Sequence, residues 1–383
     1  MKKILMVNDY AHAGGAEKIM ENLALYFAKK EYEVTVMTMH KDFESIVSFY
    51  PDNVRYYDME NLVVDTRYKR YDIRHIYKAI KRRLSRKCYL NRINKENYDV
   101  VIAMKEGDIM ELLQDVNAKK KIGWIHTDYE KQHWTAGFFR SVENEMACMK
   151  KYDKIICVSQ ATMDSVKKTV GDSGNLVVRD NPINVKQIEE LSRKKYKDKV
   201  LKDKVLKDKS GREKIILVSV GRLCEHKNYK TLLETMVKVR SVVSTPHELW
   251  IIGDGDERKE LEQYAKDFGL NNVRFLGQKD NPYPYIKKAD WFVTTTKGES
   301  YGLAVQEALI LGVPVLATRC KAFEECVTEK EAILVENNEA DIYSGMVKIL
   351  GNKKIHKEYK ENIEERSHKS LFKERIHHIE ELF

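Results

Sequence analysis

Residues 291–308 read Trp291-Phe292-Val293-Thr294-Thr295-Thr296-Lys297-Gly298-Glu299-Ser300-Tyr301-Gly302-Leu303-Ala304-Val305-Gln306-Glu307-Ala308. The opening run is apolar and β-branched, which predicts a strand over 291–296. Gly298 and Gly302 punctuate the middle. Leu303, Ala304, Val305, Ala308, Leu309 and Ile310 then predict a helix over 303–311 that is apolar on most faces and therefore buried. Strand, glycine-bearing turn and helix in that order are the repeating half of a parallel α/β sheet.

The same alternation runs along the chain. Strands are predicted at 4–8, 33–39, 100–104, 121–126 and 154–158, with helices at 16–30 and 160–170. A second series places strands at 215–220, 249–252, 273–276, 291–296 and 314–317, with helices at 229–243, 257–268, 303–311 and 340–350. Two such series in 383 residues predict two Rossmann-like α/β domains. The Asn181-Pro182 turn signal marks the division. The expected boundaries are 1–183 and 184–363, with a charged C-terminal helix near 364–383 packing back on the first domain. After the turn comes a charged insert in which Lys-Asp-Lys-Val-Leu occurs at 197–201 and again at 202–206. It reads as a solvated helix or flexible insertion without a catalytic part.

Lysine and arginine number 68 against 59 acidic residues, a formal net charge of +9. That balance suits an anionic substrate, an anionic membrane surface or a nucleic acid, and selects none of them. Helix-turn-helix signals, zinc spacing and the glycine–aromatic RNA-binding pattern are missing, so nucleic acid is not expected as a partner. The six cysteines form no CxxC pair, which leaves no metal-ligand spacing and fits a reducing cytoplasm. No apolar run reaches the roughly 18–20 residues needed to span a bilayer, so any membrane contact is expected to be peripheral.

Several constellations carry chemistry. Glu299 and Glu307 flank the start of the predicted buried helix. Eight helical residues rise about 12 Å, the scale of a ribose and an attached sugar. Two carboxylates on that span suit polyol hydroxyls, and the N–H groups near Gly302 and Leu303 suit a phosphate. The competing reading has Glu299 capping the helix and Glu307 salt-bridged to a cation. In Gly221-Arg222-Leu223-Cys224-Glu225-His226-Lys227-Asn228, two cations follow a strand end, where open α/β sheets bind ligands. They suit the charge that develops on a departing diphosphate, although an isolated Arg and Lys are commonly just solvated. Gly14 and Gly15 precede the first helix and allow close approach of backbone to phosphate, or simply a turn. His126 ends another strand, where it suits a sugar hydroxyl or a proton, or a structural role. Asp254 and Asp256 form an Asp-x-Asp that suits a metal, but their glycine-rich turn favours Asp256 as an N-cap.

Together these residues resemble the retaining glycosyltransferases of family 4, which have the GT-B fold: two Rossmann-like domains whose parallel sheets face a central cleft. The E-x7-E element is matched by Glu299 and Glu307, and the Gly-Arg-Leu…Lys loop by Gly221, Arg222, Leu223 and Lys227. Gly253 and Gly255 match the Gly-x-Gly turn, Gly14, Gly15 and Glu17 the first-domain glycine loop, and His126 the first-domain histidine. Asn228 stands where the family usually has glycine, and Thr295-Thr296 replace a frequent Pro-Ser.

The resemblance implies a hexosyl- or glycosyltransferase that uses a nucleotide-diphosphate sugar, expected to be UDP-linked, with retention and without a metal. Glu307 would hold the ribose, and Arg222 and Lys227 the diphosphate. Glu299, Ser300, Tyr301, Gly302 and Leu303 would position the sugar, with His126 contacting it and Gly14, Gly15 and Gly253 shaping the donor site. A GT-B sugar-nucleotide epimerase is the rival enzyme class. Residues 67–95 carry twelve basic side chains against Asp72 alone, and Ile73, Ile76, Tyr77, Ile80, Leu84 and Cys88 fall on one helical stripe. That pattern reads as an amphipathic helix on an anionic leaflet or as a surface helix packed on the first domain. The family's members that extend lipid-linked saccharides favour the membrane, a lipid-linked acceptor and work in capsule or exopolysaccharide synthesis on the inner face of the cell membrane.

Overall fold

The computed structural model describes residues 1–9, 14–39, 50–58, 87–194, 198–202, 206–208, 210–365 and 371–383. The chain divides into two compact units, Met1–Ile183 with Leu371–Phe383, and Asn184–Ser370.

The first unit holds a seven-stranded sheet. Its strands are β1 (Lys3–Asn8), β2 (Glu33–Thr38), β3 (Val54–Asp58), β4 (Val100–Ala103), β5 (Lys120–Ile125), β6 (Lys154–Cys157) and β7 (Leu176–Val178). The order is β3-β2-β1-β4-β5-β6-β7, and every pairing is parallel. Ile4, Leu5, Met6 and Val7 are fully buried, because a parallel strand is covered on both faces and alternation disappears. The chain runs outward from β1 through β2 to β3, then returns to β4 on the other side of β1. Strand order therefore reverses between β1 and β4, and a crevice opens at their carboxyl ends.

The second unit repeats the plan with six strands: β8 (Ile215–Val220), β9 (His247–Ile252), β10 (Val273–Gly277), β11 (Trp291–Thr294), β12 (Val315–Thr318) and β13 (Ala332–Val335). Their order is β10-β9-β8-β11-β12-β13, again all parallel. Here the order reverses between β8 and β11. The two loops with the strongest sequence signals, 221–228 and 295–302, leave these two strands and so meet at one crevice.

Three strands were not predicted. β3 and β7 are the edge strands of the first sheet and β13 is an edge strand of the second, where the apolar signal is weakest. The charged insert is not simply solvated. Val200 is buried, and Asp198 accepts from the Tyr285 hydroxyl at 2.7 Å and from Lys279 Nζ at 3.3 Å, which docks 198–202 on the second unit. The C-terminal stretch is two helices, Lys353–Glu365 in the second unit and Leu371–Glu380 in the first. Of the predicted basic helix, 67–86 lie outside the described residues. Residues 87–95 are helical, with Ile93 in the core, Arg92 over the Tyr57 ring at 4.6 Å and Cys88 exposed. No helix among the described residues is long and apolar enough to cross a membrane.

Leu371–Glu380 is bound to the first unit by apolar and polar contacts. Ile376 and Ile379 are fully buried, and Phe383 meets Phe27 with ring centroids 5.2 Å apart. Lys30 pairs with Glu380 at 2.7 Å, and Arg179 Nε donates to the His378 carbonyl at 3.0 Å. Ile379→Ala should lower unfolding stability by about 2–5 kcal/mol, the scale of a buried cavity. Urea denaturation followed by circular dichroism checks this, and a loss under about 0.5 kcal/mol, the range of surface substitutions, would mean the helix is not part of the core.

Candidate active site

In the second unit the site begins with backbone packing. Gly253 has φ 142°, and a Cβ there would stand 1.9 Å from the Gly221 carbonyl oxygen; a Cβ at Gly255 would stand 2.3 Å from that of Leu223. Only glycine allows this approach. Gly221 N donates to the Ile252 carbonyl at 3.0 Å and Leu223 N to that of Asp254 at 2.9 Å, so the Gly-x-Gly turn is a strut under the Arg222 loop. Gly253 thus touches the loop backbone. Asp254 accepts from Gly255 N at 2.8 Å and pairs with Arg258 at 2.9 Å. The expected N-cap at Asp256 is not formed: the helix Arg258–Asp267 starts after Glu257, which makes no side-chain cap bond.

The departures from the family pattern have physical explanations. Asn228 takes φ 53°, ψ 40°, the left-handed conformation for which glycine is usual and which asparagine tolerates better than other residues. Its side chain accepts from the Thr231 hydroxyl at 2.9 Å. Thr295 Oγ1 donates to the Asn228 carbonyl at 2.9 Å, and Thr296 Oγ1 to the His226 carbonyl at 3.3 Å. His226 Nε2 bonds the Gly298 carbonyl at 2.6 Å, and Lys297 N the His226 carbonyl at 2.9 Å. The two loops are therefore tied together by hydroxyl and imidazole bonds that Pro-Ser would not supply in full.

Lys227 and Glu299 form an ion pair, each side chain about a quarter exposed at 26% and 21%. Arg222 is exposed, and no described residue bonds its guanidinium. Glu299 is not a helix cap. The helix Leu303–Ile310 is capped by Gly302 at φ 75°, where a Cβ would meet Phe323 at 2.6 Å. Glu299 precedes the helix, so the two carboxylates are not separated by eight helical residues as expected. The first-turn N–H groups at Leu303 and Ala304 have no partner within the helix. Tyr301 is buried and Ser300 half-buried in the turn. Glu307 is 6% exposed and accepts from the Tyr283 hydroxyl at 3.0 Å.

In the first unit, the carboxyl ends of β1, β4 and β5 gather a polar cluster at the switch point. Lys105 pairs with Asp9 and lies over the Trp134 ring at 5.0 Å. Glu106, 1% exposed, accepts from His126 N at 2.9 Å, from Trp134 Nε1 at 3.1 Å and from the Thr127 hydroxyl. Asn8 is fully buried, and no described residue bonds its amide. Sequence reasoning missed Glu106 and Lys105, although a Lys-Glu pair one residue after a four-residue apolar strand was the available signal. His126 stacks on Trp124 with centroids 5.8 Å apart, and no described residue bonds its buried Nε2. Burial pushes its pKa down to about 4, against the opposing pull of Glu106. Gly14 and Gly15 are exposed at the start of the helix Gly15–Lys29. The Glu17 carboxylate folds over Gly14, so the anion nearest that helix end is the protein's own.

A histidine held neutral by burial lets the unfolded chain bind the proton first, so its contribution to stability is lost as pH falls from 6.5 toward about 4. The His126 ring should therefore show no NMR titration between about pH 5 and 8. An inflection near 6.5 would mean the ring is solvated.

Comparison with known proteins agrees with this architecture. Residues 13–187 match the family described as Glycosyltransferase Family 4, and 202–366 that described as Glycosyl transferases group 1. A lipopolysaccharide core biosynthesis glycosyltransferase, LpsE of Rhizobium meliloti, is 28% identical over 41% of this chain and 44% of its own length. An N-acetylgalactosaminyltransferase of Campylobacter jejuni, named for a diphospho-undecaprenol-linked acceptor, is 31% identical over 41% of this chain and 42% of its own. The matched stretches span less than half of either relative. Among solved structures, Anabaena HepE in complex with UDP and glucose superposes with a TM-score of 0.73 at 15% identity, covering all of both chains, which shows the fold. Two family matches that between them take in both units, on this pair of parallel sheets, make the chain a member of the group 1 glycosyltransferases with the GT-B fold.

Proposed function

We propose that the protein moves a sugar from a nucleoside-diphosphate donor, UDP-linked, to a saccharide acceptor with retention at the anomeric carbon. The observation that carries this is the convergence of the Arg222–Lys227 loop and the Glu299–Leu303 turn at the switch point of the second sheet, with Glu307 buried in the helix behind them. Glu307 accepts hydrogen bonds from the ribose. Arg222 and Lys227 stabilise the charge that grows on the leaving diphosphate. The N–H groups at Leu303 and Ala304, with Glu299, hold the donor sugar. Lys227 is paired with Glu299, and donor binding exchanges that bond for one to phosphate and releases the carboxylate to the sugar hydroxyls. UDP in the solved HepE complex supports the choice of base. The proposed reaction is assigned no metal, and Asp254 of the Asp-x-Asp turn pairs with Arg258.

His126 enters as a neutral hydrogen-bonding group for a sugar hydroxyl, not as an acid. At the switch point of the first sheet, Asp9 and Lys105 suit acceptor hydroxyls. The Campylobacter relative's name supports a lipid-linked acceptor, and the relatives' names as glycosyltransferases favour transfer over epimerisation. A lipid-linked acceptor places the enzyme peripherally on the cytoplasmic face of the membrane, with the basic stretch 67–95 as the contact. Each Lys or Arg near such a surface contributes about 1 kcal/mol.

Arg222→Ala and Lys227→Ala should each lower kcat by about 10²–10³ with the melting temperature unchanged, as for loss of one electrostatic donor to developing charge. Steady-state assay of sugar transfer in excess chelator reads this, and near-normal turnover in both variants sinks the diphosphate assignment. Replacing Lys81, Arg82, Arg83, Arg86 and Lys87 with Gln should abolish co-sedimentation with phosphatidylserine-rich vesicles while leaving UDP binding intact. Wild-type protein that stays in the supernatant at low salt would overturn the membrane contact.

A further inference from the structure

Glu307 sits in the helix Leu303–Ile310 among the buried residues Val305, Ala308 and Leu309. A carboxylate that deep requires a hydrogen-bond donor. Tyr283, itself 2% exposed, supplies one by donating its hydroxyl hydrogen to Glu307 Oε1 at 3.0 Å. The phenol is anchored in turn. Tyr283 opens the helix Tyr283–Lys288 directly after Pro282, whose ring limits the backbone there. Its N–H donates to Asn281 Oδ1 at 3.1 Å, and Asn281 Nδ2 donates to the Leu191 carbonyl at 2.9 Å. Asn281 is 7% exposed. Three successive bonds through buried groups thus run from the end of the helix Val185–Ser192 to one oxygen of Glu307.

We propose that Tyr283 is a positioning residue for ribose recognition: it orients the Glu307 carboxylate to accept from the vicinal hydroxyls of a ribonucleoside diphosphate. The inference rests on the reading of Glu307 as the ribose acceptor. A glutamate has three side-chain torsions, and freezing them on binding costs affinity. The bond from Tyr283 freezes the carboxylate before the nucleotide arrives. Ribose then meets a prearranged acceptor, and a nucleotide lacking a hydroxyl gains nothing from the arrangement. Tyr283 stands behind Glu307 and acts through it. A purely structural phenol that only satisfied a buried carboxylate would alter stability and affect every nucleotide alike.

The test compares affinities, by titration calorimetry, for the tightest-binding of UDP, GDP and ADP and for its 2′- and 3′-deoxy counterparts. Wild type, Tyr283→Phe, Glu307→Gln and the double variant are measured. Tyr283→Phe keeps the ring and removes only the hydroxyl. It should weaken the ribonucleotide about tenfold, the scale of a lost hydrogen bond to a charged group. The deoxynucleotides should change less than about twofold, with melting temperature and kcat at saturating donor near wild type, which marks the lost interaction as uniform binding, made equally in ground and transition states. In the Glu307→Gln background, removing the hydroxyl should cost nothing further, because the two act as one unit. Equal losses on ribo- and deoxynucleotides, additive losses in the double variant, or a full ribose preference in Tyr283→Phe would each overturn the positioning role. If wild type shows no ribose preference, or Glu307→Gln keeps it, the assignment of Glu307 itself fails, a pattern distinct from the others. Asn281→Ala, which loosens the Tyr283 anchor and leaves the phenol, carries the same comparison should Tyr283→Phe not fold.

Discussion

The second unit depends on the closeness of two backbones. Gly253 and Gly221 approach until no Cβ fits between them, and the bonds from Gly221 N to Ile252 and from Leu223 N to Asp254 close the gap on either side. Because β8 and β9 are neighbours and β8 borders β11, that contact fixes where the Arg222 loop leaves the sheet. The loop from β11 is then held to it through Thr295, Thr296 and His226. Cationic side chains on a loop fixed in this way lose little freedom when an anion arrives, which is the condition for effective electrostatic stabilisation.

Three buried carboxylates are held in a similar way. Glu106, Glu145 and Glu307 are each nearly inaccessible, and each is met by donors from residues distant in sequence. Glu145 accepts from the Thr135 hydroxyl at 2.7 Å and bonds His133 Nε2 at 2.8 Å. Glu106 gathers Trp134, Thr127 and the His126 backbone. Removing one donor leaves a buried acceptor unmet, so these clusters hold loops that have little apolar content of their own. Glu106 thereby fixes the end of β5 and with it the direction of His126.

Much of the fold was legible. The central strands of both sheets are covered on both faces and read as continuous apolar runs, and the helices between them are long enough to show a period. Edge strands such as β7 bury one side at most, so their signal is weak. The charged insert misled because Asp198 and Val200 are held by tertiary partners that composition does not record. The expectation of a cap at Asp256 failed for a local reason: the helix starts one residue later, at a boundary that propensity places only to within a residue or two.

By itself the sequence determined the residue types of the site and the α/β alternation, because glycine spacing, hydrophobic period and charge are local properties of the chain. Only the tertiary structure decided which of those residues meet. The reversal of strand order brings loops 221–228 and 295–302 together across more than seventy residues, pairs Lys227 with Glu299 and sets Tyr283 behind Glu307. Such pairings depend on strand order and on which buried polar atoms must find partners. Both are properties of the packed chain, so no local pattern of residues could contain them.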